Sequence, residues 1–520
     1  MQNKHPGGHM SMADLAKMTP EKIREVVAAH GSAMPAHVKA MLLAMAGQPA
    51  SADPKGSDQG QSFEAGQRRM MGDKASRIEE VTDFAANTEG DALHDAFVGK
   101  AIVHPSMDGR PMMGEAAQEA ITKAWDQDRT RTGLAYFHVP FCQTRCLYCM
   151  FYQNPLREES SAHYTDTVIA EMQLTADKAA QRGKPLEAVY FGGGTPTALE
   201  AHDLKRLLLA VKKYLPLAND CEITLEGRIF NFDDAKIEAA FEGGVNRISL
   251  GAQTFNTHVR QTMRRVDDRD TMIERIQKMA SYNQCALVCD LIYGFPYQTP
   301  EIWEDDVKTA MSLPLDGLDC YQLNVFEKSP LGKFIANGKL PAGADQRARG
   351  DYFAESVRLL TQGGWHRLSN NHWGRPDKWR ERNIYNRFAK GNADCLAFGS
   401  GAGGKLHGTS FMIDRDYKSW AKSVQEGVKP VMFASAPSEH WDALRTLSSE
   451  MELGRINPAA LSEQFHLPIA QLTSDVFTQW MKAGLIVPQG DWQVQTTAGQ
   501  FWHVTMTQLL INVLKQRLAR

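Results

Sequence analysis

The sequence has little that would bind it to a polyanion or a lipid. It holds 58 Lys and Arg against 61 Asp and Glu, a formal net charge of −3. That balance leaves no electrostatic footprint for nucleic acid or an anionic membrane. No apolar run approaches the roughly 18 residues that a spanning helix needs. The N-terminus carries no apolar signal core, so the expected compartment is the cytoplasm. Cysteine is scarce, with eight in 520 residues. In a reducing compartment those eight are free thiols or ligands before they are disulfides. No G-x-G-x-x-G follows a first strand, which weakens a dinucleotide-binding fold. With 41 Gly and 23 Pro, the chain is near average and neither collagen-like nor wholly disordered.

Length predicts about three or four units. Methionine is concentrated at the start, where nine of the 23 precede residue 90. Residues 1–90 are expected to form a Met-rich extension, partly helical or disordered. Short helices are expected over 19–31, opening on Thr19-Pro20, and over 35–46. A polar linker follows over 48–64. His5, His9, Met10 and Met12 are soft or haem-type ligand candidates in this extension. Residues 91–432 are expected to be one α/β domain. Strand-like runs at 133–141, 188–194, 222–227, 247–253, 286–294 and 318–326 alternate with amphipathic stretches at 162–182, 201–214, 233–242, 268–283 and 300–312. Strand alternating with helix predicts βαβ units and a parallel sheet, here a partial (β/α)6 barrel of the TIM type. Residues 433–520 read as three helices, a short strand pair and a last helix, a winged-helix-like plan. Without a basic face, a docking or lid module fits it better than DNA binding.

The strongest chemical signal is Cys142-x-x-x-Cys146-x-x-Cys149, directly after the first strand. Three thiolates on one short loop can hold three irons of a cubane cluster and leave the fourth open. A structural zinc site needs four closed ligands, and no nearby Cys or His completes the set. The other five cysteines, Cys221, Cys285, Cys289, Cys320 and Cys395, stand scattered in apolar contexts and read as small buried hydrophobes. Parallel barrels place their chemistry at the C-terminal ends of the strands. Those ends supply Gly192-Gly193-Gly194-Thr195-Pro196, Glu226, Gln253, Asp290 and Asn324. A bare backbone at the triple glycine lets a ligand approach closely.

Tyr136-Phe-His-Val-Pro-Phe-Cys142-x-x-x-Cys146-x-Tyr148-Cys149 resembles the radical S-adenosylmethionine (SAM) enzymes around anaerobic coproporphyrinogen oxidase. GGGTP (192–196), GVNRISLGAQTFN (244–256) and DLIYGFP (290–296) are similar to that group's motifs, and the likeness covers about residues 90–515. The resemblance implies that Cys142, Cys146 and Cys149 ligate a 4Fe–4S cluster whose open iron chelates SAM. It implies that Tyr136 sits beside that SAM, that Glu226 holds it, and that Gly193, Gly194 and Thr195 line two SAM positions. Gln253, Arg265, Asp290 and Asn324 match positions for a second SAM, with Tyr148 an aromatic beside it. Tyr136, Glu226, Gln253 and Asp290 are thus the catalytic candidates.

Three members of the group compete. The oxidase has a fourth cysteine soon after the third, where this chain has Met150-Phe151-Tyr152. The haem chaperone relative usually lacks a long N-terminal extension. The anaerobic haem-degrading methyltransferases of the HutW/ChuW type are matched by residues 91–112, by Phe151-Tyr152-Gln153-Asn154 and by FGSGAGGKLHGTSFM (398–412). That resemblance implies methyl(ene) transfer from a second SAM to the porphyrin, opening of the macrocycle at a meso bridge and release of iron. It implies haem as substrate and an external electron donor, of flavodoxin or flavin type. A haem-delivery or product-binding protein is a further expected partner. A flat macrocycle with two propionates asks for aromatic walls and cations. The stretch 365–387 is rich in both, so His372 or its neighbours are expected to touch haem. Replacing any one of Cys142, Cys146 or Cys149 by Ala should abolish the cluster's charge-transfer absorption and most bound iron after anaerobic reconstitution. Cys221→Ala should retain both, and iron and sulfide assays on the full chain check this.

Overall fold

The computed structural model describes residues 84–101, 105 and 109–519. The two expected helices before residue 47, the linker over 48–64 and the ligand candidates His5, His9, Met10 and Met12 lie outside the described residues.

Seven parallel strands form the centre of a thirteen-stranded sheet. They are β1 (Gly133–Val139), β2 (Leu186–Gly193), β3 (Leu217–Gly227), β4 (Arg247–Gln253), β5 (Ala286–Tyr293), β6 (Gly317–Gln322) and β7 (Asp394–Phe398). Their order is β7-β1-β2-β3-β4-β5-β6. Six follow the expected runs. The seventh was not expected: DCLAF is buried throughout, and a short apolar run without alternation carries no periodic signal. Helices Ser160–Leu174, Ala201–Tyr214, Asp234–Gly243, Arg269–Ser281 and Pro300–Ser312 join the first six strands. Their starts are set by short polar caps. Asp233, Asp268 and Thr299 accept from the N–H groups of Lys236, Thr271 and Ile302, each cap contributing about 1 kcal/mol.

The two faces of the sheet divide the work. On the outer face Phe137 stacks on Phe191 and Phe398, with ring centroids 4.7 and 4.9 Å apart. The inner face is polar and closed from below by the helix Ile384–Ala389, whose Tyr385 stacks on Tyr190 at 4.5 Å. Antiparallel strands continue the sheet at both edges. Gly403–Leu406, Thr409–Ile413, Val431–Ala436 and Arg110–Met113 extend it beyond β7, and His372–Gly374 and His366–Arg367 beyond β6. Helices Trp441–Glu452, Pro458–Phe465 and Ile469–Lys482 and a three-stranded sheet follow, before a final helix His503–Leu518. The start of the described chain packs on this module, where Trp502 Nε1 donates to the carbonyls of Ala92 and Leu93 at 3.0 Å.

Within the aromatic-basic stretch 365–387 the structure buries His372 among acids, which corrects the expectation that it touches haem. His372 is 1% exposed. Its Nδ1 lies 2.7 Å from Asp319 Oδ2 and its Nε2 3.0 Å from Glu381 Oε1. Arg375 donates to the carbonyls of Met311, Leu313 and Leu315, and Arg367 to Gln500 and Asn370. Trp365 and Trp373 are buried, and Trp379 alone among the tryptophans of the stretch is exposed. The basic side chains serve backbone carbonyls and buried acids because the sheet crosses this segment at its edge.

Inside the barrel Glu381 also accepts from Arg247 Nε at 2.9 Å. Burial opposes the charged imidazole, but Asp319 and Glu381 outweigh it and raise His372 to about 9. The stabilisation from a raised His is present below its ordinary 6.5 and is lost as pH rises through about 9. The thermal midpoint of the wild-type protein should therefore fall across that window. Glu381→Gln leaves Arg247 and His372 short of an acid and should lose about 3–5 kcal/mol; thermal melts over pH check both.

Candidate active site

The loop after β1 is held at its base and at its tip. Phe141–Cys142 pairs in parallel with Asn154–Pro155, and Leu156 N donates to Cys142 O at 3.1 Å. At the tip, Leu147 N donates to Met263 O at 3.3 Å and Leu147 O accepts from Leu331 N at 3.0 Å. The Leu147 side chain is buried with Val259, Met263, Phe295, Leu323 and Leu331. Arg228 Nη1 donates to Thr144 O at 2.9 Å. An apolar plug and main-chain bonds to distant segments therefore shape the loop.

Cys142 and Cys146 are buried and Cys149 is half-buried. Each sulfur faces a donor. Thr195 Oγ1 lies 3.4 Å from Cys142 Sγ, Arg265 Nη1 3.8 Å from Cys146 Sγ, and Phe151 N 3.4 Å from Cys149 Sγ. Burial raises Cys142 and Cys149. Burial works against the Cys146 thiolate too, but the guanidinium groups of Arg265 and Arg228 outweigh it and lower this thiol. A hydroxyl, a guanidinium and an N–H on three sulfurs suit thiolates, the form that binds iron. The donor set fits a cluster loop. The other five cysteines are buried, and burial pushes Cys221 and Cys285 up to about 12 and Cys395 to about 11, as inert small hydrophobes require.

The strand ends bring most of the expected residues to one opening. Gly193 has φ +107°, and a Cβ there would meet His138 at 2.7 Å. A Cβ on Gly194 would stand 2.5 Å from Phe141 O. These glycines let β2 pass against the cysteine loop, which seats Thr195 on Cys142. Tyr190 donates to Glu226 Oε1 at 2.7 Å, and Tyr136 stacks near Tyr190 and Tyr385. The Tyr136 hydroxyl lies 3.1 Å from His138 Nδ1. Burial first, then Tyr190, Gly193 and Arg247 in the opposite sense, leave Glu226 above its ordinary value. Gln253 adopts φ +75°, and among the described residues its buried Oε1 meets no hydrogen-bond partner, so an acceptor is left open there. Arg265 is tied to Gly251 O, and Asp290 meets the Ser249 hydroxyl at 3.3 Å.

Asn324 lies beyond the end of β6, not on it, and accepts from Gln322 at 3.2 Å. Tyr148 packs edge-on against Phe295 at 5.2 Å, and its hydroxyl hydrogen-bonds Cys146 beside Arg265 and Arg228. Sequence reasoning missed His138, Tyr190, Arg228 and Tyr385. His138 and Arg228 were accessible to it, because alternation puts them on the inner face two residues after Tyr136 and Glu226. Tyr385 carried no local signal.

Comparison with known proteins follows this geometry. A model described as the radical SAM superfamily matches residues 136–310. Anaerobilin synthase of Escherichia coli O157:H7 is 39% identical over 79% of this chain and 93% of its own length. The chain belongs to the anaerobilin synthase family of radical SAM proteins. The heme chaperone HemW of Synechocystis is 30% identical over 62% of the chain and 77% of that protein. The crystal structure of coproporphyrinogen III oxidase (HemN) from Escherichia coli aligns with a TM-score of 0.66 at 21% identity, over 78% of this chain and 99% of that one. The fold is accordingly the α/β radical SAM fold with a helical C-terminal module. The cofactors of this family are a 4Fe–4S cluster and SAM, and the donor set on Cys142, Cys146 and Cys149 fits them. Gly194→Ala should strain the β1–β2 contact by about 1–3 kcal/mol. That should weaken SAM binding roughly tenfold, whereas Gly403→Ala, with its nearest neighbour at 4.0 Å, should leave it unchanged; calorimetric titration of the reconstituted protein with SAM checks this.

Proposed function

We propose that this chain degrades haem anaerobically, opening the macrocycle by radical SAM methyl(ene) transfer and releasing the iron. The observation that carries this is the 39% identity to anaerobilin synthase across 93% of that protein. Cys142, Cys146 and Cys149 would hold three irons of a 4Fe–4S cluster and leave the fourth open for SAM. When bound, the reduced cluster and SAM supply the electron and the radical carbon chemistry.

The protein's own groups bind, orient and exclude. Thr195, Arg265 and the Phe151 N–H bear on the three sulfurs, and the two guanidiniums of Arg228 and Arg265 offset the negative charge of a thiolate cluster. Gly193 and Gly194 present bare backbone to SAM, and Glu226, oriented by Tyr190, holds it. Tyr136 lies beside it. The stacked rings of Tyr136, Tyr190 and Tyr385 floor the opening and keep water from below. Gln253, Arg265 and Asp290 would hold a second SAM, with the Gln253 carbonyl as an acceptor. Tyr148 bears on Cys146, and Asn324 follows the end of β6. Haem is the substrate, and the electron donor is an external flavodoxin- or flavin-type carrier. A haem-delivery or product-binding protein completes the partners. Among the described residues no helix is long and apolar enough to cross a membrane, which supports a cytoplasmic site of action.

The test is anaerobic turnover of the reconstituted chain with reductant, SAM and haem. The expected result is loss of the Soret band together with a SAM-dependent, methylated open tetrapyrrole. Haem that binds unaltered would place the chain with the chaperones. Consumption of coproporphyrinogen with release of carbon dioxide would place it with the oxidases.

A further inference from the structure

Asp319 and His372 have no part in the function above, yet they stand in a row with Asp290. In the register of the sheet Asp290 lies opposite Asp319, and Asp319 lies opposite His372. Residues opposite one another in register have side chains on the same face, and this face is the inside of the barrel. His372 holds Asp319 at 2.7 Å and Glu381 at 3.0 Å, and Glu381 also holds Arg247 at 2.9 Å. Arg247 and His372 are thus each paired with a carboxylate other than Asp290.

Asp290 meets the Ser249 hydroxyl, at 3.3 and 3.4 Å to its two oxygens. Glu226 on β3 and Asp319 on β6 face it as acids, and Tyr190 on β2 and Tyr321 on β6 face it as phenols. Arg247 and His372 act on it from behind the acids they hold. Two neighbouring carboxylates in a low-dielectric interior do not both ionise readily. Burial, then Asp319, then Glu226 push Asp290 well above the usual carboxylate range.

We infer that burial, together with Asp319 as fixed by His372, keeps a proton on Asp290, so that Asp290 meets its ligand as a neutral hydrogen-bond donor. Asp319 and His372 are then positioning residues, acting through Asp290. A neutral acid donates to an oxygen of SAM, a hydroxyl or a carboxylate, where an anion would only accept. The role toward SAM rests on the function proposed above; the proton on Asp290 does not.

Difference infrared spectroscopy on the full chain, with isotope-labelled aspartate and without SAM or haem, tests it. The expected spectrum at neutral pH holds a protonated-carboxyl band that Asp290→Asn removes. Asp319→Asn should lose that band at a lower pH than the wild type, because one of the charges that holds the proton is gone. A wild-type protein without the band, or an Asp319→Asn protein whose band titrates as the wild type's does, overturns the inference. If Asp319→Asn does not fold, the wild-type spectrum decides: absence of the band at neutral pH refutes the inference. No cofactor enters the measurement, so its failure leaves haem degradation standing, and failure of haem turnover leaves the band intact.

Discussion

Arg247 and Glu381 meet at 2.9 Å inside the barrel, where both side chains are almost wholly removed from water. Two charges in such a place are tolerable only if each is paired and hydrogen-bonded. Glu381 answers Arg247 on one side and His372 on the other, and His372 answers Asp319. This chain of four runs across the inner face. It anchors the segment after His366 to the sheet, because Glu381 comes from that segment and Arg247 from β4. The carboxylates nearer the mouth, Glu226 and Asp290, meet hydroxyl donors instead, from Tyr190 and Ser249. Burial first raises both above the usual carboxylate range, and neighbouring acids add to this for Asp290.

The cysteine loop obeys a different constraint. A cluster ligand set must be in place when iron arrives, and it must sit in a shell that favours thiolate. Leu147 and its apolar partners fix the tip, while the short pairing of Cys142 with Pro155 fixes the base. The donors come from separate strands: Thr195 follows β2, Arg228 follows β3 and Arg265 follows β4. The parallel sheet delivers all three to one end, which is why its C-terminal rim can build a site that no single segment contains.

Local chemistry was readable where a motif carries its own geometry. The three cysteines, the triple glycine and the strand-end residues Glu226 and Asp290 lie where the pattern puts them. Tyr148 also lies there, on Cys146, while Asn324 falls past the end of β6, which stops at Gln322. His372 and Arg375 misled because aromatic and basic residues look alike whether they wall a pocket or tie down a buried segment. Only the carbonyls of Met311, Leu313 and Leu315, distant in sequence, reveal that Arg375 belongs to the second kind.

The sequence by itself determined the alternation of strand and helix, the thiol loop after the first strand and the residue types at the strand ends. Those are matters of short-range pattern, where spacing of two or 3.6 residues decides which side chains share a face. The tertiary structure alone decided that β7 enters the sheet, that Tyr385 floors the mouth, that His372 is a buried cation and that Asp290 lacks one. Each of these depends on partners far apart in the chain, and charge inside a barrel is balanced over the whole interior, not within any one segment.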